Sequence, residues 1–331
     1  MSAGARPGGA VSLADIQSPV RGQLERVHAE LWRIVSDDSP LGEVNHHLMG
    51  MRGKMFRPTL VLLTSAVGGR PAERAVRLAA AVELVHLATL VHDDAVDHSV
   101  LRRGMPTLNS LFSHQISVIM GDFLYLRALR ELVTDEDVDP LRVLTDASVQ
   151  MTLGEMRQLA QPVALEFGEE DYEVLIRGKT AALISAACEI GALSGAPDWR
   201  EPLARYGDRL GMAFQIVDDL LDYTGTQETT GKPSGLDLRE HKVTLPLIAA
   251  LREMSGASRR AVEEFFATSE PTDADIAAIV AIVDEHGGLE YARRRGEQFA
   301  LEADEALVGL PDTPARAALG DAIGYVMERR S

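Results

Sequence analysis

Apolar residues recur at helical spacing through almost the whole chain, and the strict alternation of half-buried strands is scarce. In the first half the pattern predicts helices over Leu13–Val35, Arg57–Val67, Pro71–His98, Leu108–Thr134 and Pro140–Ala164. The second half adds Glu169–Ser194, Glu201–Tyr223, Leu245–Met254, Arg259–Ala267, Asp273–His286, Leu289–Val308 and Thr313–Arg329. Gly68-Gly69, Gly195-Ala196-Pro197, the stretch from Ser269 to Thr272, and Gly287-Gly288 punctuate them. Pro71 and Pro314 stand where a helix begins, a position at which the missing N–H costs nothing. The result is an all-α chain of about a dozen helices, with no fixed repeat and no linker long enough to separate two domains. Residues 1–12, small and Gly-rich, read as a disordered lead-in to one domain over 13–331. One polar stretch, Thr224 to Lys242, lies between two strong helices and reads as a lid or binding loop.

Composition narrows the function. The chain has 331 residues, a formal net charge of −17 and one cysteine, Cys188. That charge argues against nucleic acid, whose phosphates would be repelled nearly everywhere. It also means that an anionic substrate needs a concentrated basic site or metal ions. A single cysteine cannot form an intrachain disulfide, which points to a reducing compartment, the cytoplasm. No apolar run reaches the ~18 residues of a membrane span, and the N-terminus lacks the apolar centre of a signal peptide.

Two acidic clusters close apolar helices. The first is His92-Asp93-Asp94-Ala95-Val96-Asp97-His98, the second Asp218-Asp219-Leu220-Leu221-Asp222. Asp93 and Asp97, like Asp218 and Asp222, are four apart and share a helical face. Like charges so placed repel by about 1 kcal/mol in water and about 4 kcal/mol at an effective dielectric near 20. Oxygen-only ligands with open positions suit Mg²⁺, which takes its remaining ligands from water and substrate phosphates. A solvated acidic helix end explains either cluster alone less well once the pattern occurs twice. A calcium loop of the EF-hand kind is a poorer fit, since its glycine and terminal glutamate are missing.

The chain has four lysines, and three of them, Lys54, Lys179 and Lys232, follow glycine; Lys242 is the fourth. In a chain that otherwise uses arginine, lysine marks places where a compact point charge can meet a phosphate. Gly53-Lys54-Met55-Phe56-Arg57-Pro58 and Arg102-Arg103-Gly104 supply further cations, the latter just past Asp97. None of these is a Walker loop. His86 precedes Asp93 by seven residues and so faces nearly the same way; it is a core histidine or a phosphate contact.

Taken together these residues resemble the trans-polyprenyl (isoprenyl) diphosphate synthase family, long-chain type, over nearly the whole chain. The resemblance is carried by Gly53–Pro58, Glu83–Arg103, Gly121-Asp122, Lys179-Thr180-Ala181, Phe214-Gln215 with the second cluster, and Gly231-Lys232-Pro233 through Asp237-Leu238 to Lys242. It implies a helical bundle around a deep central cavity, usually a homodimer, that condenses isopentenyl diphosphate with an allylic diphosphate. Asp93, Asp97 and Asp218 would then ligate Mg²⁺, with Asp94, Asp219 and Asp222 as further ligands or their supports. Lys54, Arg57, His86 and Arg103 would hold isopentenyl diphosphate. Arg102, Lys179, Lys232 and Lys242 would hold the allylic diphosphate, while Thr180 and Gln215 line the pocket near the reacting carbons.

The sequence departs from the family pattern at Arg52 and His241, where glycine is frequent, and at Met55, where a basic residue is. One turn before Asp93 the chain carries Ala88 and Thr89, small where short-product members often carry aromatics, which implies a product longer than about twenty carbons, suited to a quinone side chain. A terpene cyclase would carry a second metal motif built on Asn, Ser and Glu and more aromatics to stabilise cyclic cations. A silent subunit would lack some of the aspartates or lysines. A catalytic subunit that works with a small partner fits the same residues.

Overall fold

The computed structural model describes residues 11–36, 42–51, 53–102, 104–134, 136–159, 164–225 and 235–329. Its helices are α1 Leu13–Gln17, α2 Arg21–Ser36, α3 Gly42–Gly50, α4 Phe56–Ser65, α5 Ala75–Val96, α6 Leu108–Leu111, α7 His114–Leu132 and α8 Asp139–Leu159. These are followed by α9 Glu169–Ile176, a π-helical segment Arg177–Ala181, α10 Ala182–Gly195 and α11 Arg200–Thr224. The chain ends with α12 Leu236–Arg239, α13 Leu245–Glu253, α14 Gly256–Phe266, α15 Asp273–Glu285, α16 Gly288–Ala306 and α17 Pro314–Met327. The one sheet among the described residues is a hairpin, Leu101–Arg102 antiparallel to Met105–Pro106.

Local chemistry explains most departures from the expected helices. The first is broken at Pro19, where a 3₁₀ turn, Ser18–Val20, joins α1 to α2 because proline has no N–H to continue the ladder. Ser12, expected in the lead-in, is ordered at the start of α1, which it caps in a capping box with Asp15, accepting Asp15 N–H and giving its own N–H to the Asp15 carboxylate. Pro71 lies outside α5, which opens at Ala75. The run expected from Leu108 is divided by Ser113, whose hydroxyl caps α7. Thr313 and Pro314 start α17 as the sequence suggested.

The centre is built on α5, which packs most extensively against α7 and also against α2, α4 and α10, while α11 lies between α10 and α16. By length and composition α5 could cross a membrane, which corrects the expectation that no run was long enough. Yet 67% of its apolar window is buried inside the bundle, so its apolar character is already used for packing. Gly121 makes the α5–α7 approach possible: a Cβ there would sit 2.2 Å from the His92 ring, which instead places Nε2 at 3.1 Å from the Val118 carbonyl.

Candidate active site

The two aspartate clusters end α5 and α11, and within each the carboxylates divide by role. Asp94 is buried at 5% exposure and accepts Arg102 Nε on both oxygens at 2.8 Å, fixing the hairpin arginine beside the cluster. Asp93 is half-buried and Asp97 exposed at the helix end. Burial pushes the Asp93 carboxyl up to about 6; Glu155 and Asp97 add to this, and Lys179 and Arg102 oppose it.

The second cluster repeats the division. Asp219 is buried and accepts the Tyr172 hydroxyl at 2.5 Å and Gln215 Nε2 at 2.8 Å. Thr180 in turn donates to Gln215 Oε1 at 2.6 Å. An unbroken chain of side chains thus runs from Thr180 in the π segment to Tyr172 on α9. Burial, with Asp237 nearby, pushes Asp219 up to about 8. Asp222 accepts the backbone N–H groups of Leu236 and Asp237 at 3.0 Å each, so it caps α12 and brings the polar loop back to α11. Asp218 keeps its carboxylate at the surface, 53% exposed. Of the six aspartates expected to ligate metal, Asp93, Asp97 and Asp218 therefore present accessible oxygens, whereas Asp94, Asp219 and Asp222 have structural partners. No three His, Cys, Asp or Glu side chains among the described residues form a metal site by themselves. That donor set fits a hard divalent cation that takes its other ligands from water and a diphosphate.

Of the expected cations, Lys179 and Arg102 act on Asp93, and Lys242 stands near Asp97. Lys179, inside the π segment, lies 2.7 Å from Glu155 on α8. Lys242 follows α12 and lies 2.5 Å from Glu240. Burial works to lower the Lys242 pKa and is outweighed by Glu240, Asp237 and Asp97, which leave it raised. Lys242 is thus within electrostatic reach of both cluster regions. Arg57 on α4 and His86 on α5 meet, Nη1 to Nε2, at 3.1 Å. Lys54 precedes α4, and its carbonyl accepts Gln17 Nε2 at 3.1 Å. Lys232 and Arg103 lie outside the described residues.

Both described departures from the family pattern have left-handed backbone: Met55 at φ 53° and His241 at φ 54°. At 241 this explains a preference for glycine, since a Cβ is strained there. The His241 ring packs against Phe265 and Phe266, with centroids at 5.8 and 5.4 Å. Ala88 is 2% exposed and belongs to the packed core, so an aromatic there would disrupt packing first; Thr89 is half-buried.

Three residues of the site escaped the sequence analysis. Glu155 and Tyr172 are ordinary surface-like residues in the sequence, and no spacing signal marks them. Arg329, just past α17, stacks on Phe214 at 4.2 Å and stands 3.6 Å from Asp218. Its Nε and Nη1 are buried with no hydrogen-bond partner among the described residues.

Comparison with known proteins shows the family and the fold. Residues 38–283 match the family model described as Polyprenyl synthetase. The all-trans-nonaprenyl-diphosphate synthase (geranyl-diphosphate specific) of Rhodobacter capsulatus is 39% identical over 288 residues, covering 86% of this chain and 88% of that one. Heptaprenyl diphosphate synthase component 2 of Geobacillus stearothermophilus is 37% identical over 313 residues, covering 92% and 95%. The crystal structure of a Caulobacter crescentus polyprenyl synthase, complexed with calcium and isoprenyl diphosphate, superposes with a TM-score of 0.90 at 33% identity over 98% of this chain and all of that one.

Proposed function

The chain belongs to the polyprenyl synthetase family, and from that premise we propose that it is a prenyltransferase condensing isopentenyl diphosphate head-to-tail with an allylic diphosphate. The observation that carries the proposal is the approach of Lys179 to Asp93 and of Lys242 to Asp97 and Asp237, the last of which also feels Asp218 and donates its N–H to Asp222 of the second cluster. A terpene cyclase is set aside by the family and by the all-aspartate second cluster.

In this reading Asp93, Asp97 and Asp218 hold divalent cations, Mg²⁺ in the working enzyme, which supply positive charge to the leaving diphosphate. Lys179, Lys232, Lys242 and Arg102 bind the same anion, so negative charge developing on it is met by fixed cations. The allylic C–O bond breaks with its electron pair on diphosphate, the isopentenyl double bond attacks the allylic carbon, and the departing proton passes to the released diphosphate. Arg57, His86, Lys54 and Arg103 hold the isopentenyl diphosphate for that attack. Thr180 and Gln215, ordered by Asp219 and Tyr172, turn fixed polar atoms toward the reacting carbons. No protein nucleophile is needed, in keeping with the buried Cys188, whose thiol burial pushes far up.

The product is an all-trans polyprenyl diphosphate longer than about twenty carbons, supported by the long-chain relatives and by the small, half-buried Thr89 one turn before Asp93. Purified protein, incubated alone with isopentenyl diphosphate, Mg²⁺ and a set of allylic primers, should give a ladder ending at one long product. Thr89→Tyr should shorten it; an unchanged length would remove Thr89 from the cavity wall. No condensation with any primer would overturn the single-chain activity. The name component 2 of one relative favours a second reading, in which activity appears only when a small partner subunit is added. A homodimer joined through α7 and α8 is part of the first reading, as is a cytoplasmic location, supported by the unpaired Cys188.

A further inference from the structure

Of the lysines assigned to the allylic diphosphate, the two described, Lys179 and Lys242, each pair with a glutamate, Glu155 and Glu240. Glu155 follows Gly154 on α8. A Cβ on Gly154 would stand 3.3 Å from the Lys179 backbone nitrogen, and one on Gly178 would stand 2.8 Å from the Gln150 carbonyl oxygen. Two glycines therefore bring the backbone of α8 onto the π segment, and Glu155 and Lys179 are delivered to each other by main chain. The Glu155 carboxylate is also among the charges that act on Asp93, so it stands beside the first cluster as well as the lysine. The pair is accessible, with side chains 38% and 39% exposed.

A carboxylate on a diphosphate-binding lysine opposes the substrate twice, by occupying the ammonium and by repelling the anion. The same contact assists the opposite step, because a diphosphate product has to leave. We propose that Glu155 is a positioning residue that competes with diphosphate for Lys179. It holds the ammonium in the empty site, yields it to an anion brought in with divalent cations, and reclaims it as inorganic diphosphate departs. The proposal rests on the site reading given above.

Isothermal titration of inorganic diphosphate into the full chain, with chelator and then with Mg²⁺, tests it. A half-exposed ion pair corresponds to about a two- to fivefold change in affinity. In chelator, Glu155→Gln should bind inorganic diphosphate tighter than wild type by about that factor. With Mg²⁺ the gap should narrow. In steady state the variant should show a lower KM for the allylic substrate, a lower kcat and stronger inhibition by inorganic diphosphate. A residue that merely braces Lys179 would do the reverse, raising KM and weakening diphosphate binding, and equal or weaker binding overturns the proposal. Should Glu155→Gln fail to fold, Glu155→Asp, with the charge kept on a shorter arm, should bind with intermediate affinity; affinity equal to or below wild type would again overturn it. Wild-type protein that binds no diphosphate even with Mg²⁺ would remove the site reading itself, an outcome distinct from equal affinities.

Discussion

Asp93 and Asp94 are adjacent in sequence and meet different chemistry. Asp94 is buried and committed to Arg102, so truncating it should loosen the hairpin, whereas Asp93 keeps accessible oxygens. Burial moves Asp93 from an ordinary 3.8 to about 6. Below about pH 4 the group is protonated whether folded or unfolded, and its buried position costs nothing. As pH rises through about 6 the folded empty site must carry the charge, and that contribution to stability is lost. A divalent cation competes for the same oxygens, so its affinity runs the other way, weakening as pH falls through about 6. The Mg²⁺ concentration giving half of the metal-induced rise in Tm should therefore increase by up to about tenfold per pH unit below about pH 6 and level off above about pH 7. Asp93→Asn should flatten this profile; an unchanged inflection would assign it to another carboxylate.

At the scale of elements, the π segment joins the two halves of the site. Its one wider turn turns Lys179 toward α8 and Thr180 toward α11, and π turns inside helices are frequent at functional sites. Arg177 is tied to Asp208, and Gly211 allows α11 to approach: a Cβ there would lie 2.5 Å from Ala181 Cα. Gly211→Ala should cost about 1–3 kcal/mol by overpacking and, by displacing Thr180 from Gln215, lower kcat more than it changes KM. Gly320→Ala, where the added methyl meets open space in α17, should leave activity alone and raise stability by up to about 1 kcal/mol. Thermal melts and steady-state kinetics on both variants check the pair; a Gly211→Ala enzyme with normal kcat would separate the π segment from catalysis. The long helices were legible because each repeats its apolar spacing over several turns. The π segment was not, since one extra residue in a turn leaves the pattern on either side intact. Nor was α3, whose Asn45, His46 and His47 interrupt any apolar stripe. In the site, aspartates and lysines were legible through residue type and spacing. Glu155, Tyr172 and Arg329 reach it from distant segments, and nothing local in the sequence requires those meetings.

For the whole molecule, the unresolved balance is between a net charge of −17 and a surface that is apolar in one region. On α7, Ile119, Leu126 and the following Val133 recur every seventh residue and are 63%, 63% and 60% exposed. On α8, Val149, Leu153 and Met156 share a face and are 55%, 42% and 60% exposed. Such side chains at helical spacing gain by being covered, and two copies of this face meeting about a twofold axis would cover them. A stable dimer needs a total of roughly 1,600 Å² buried, which two long helices from each copy can supply. Covering α7 would also brace α5, its most extensive partner and the bearer of Asp93. Light scattering at micromolar protein should give twice the chain mass, and the pair Ile119→Asp and Leu126→Asp should give the chain mass, with a lower Tm and reduced product. Ile119 and Leu126 are exposed on α7, so lost activity in the monomer would report on the support that dimerisation gives to α5. Wild-type protein scattering as a monomer at that concentration would leave the face to a different subunit, the arrangement in which activity appears only after a partner is added.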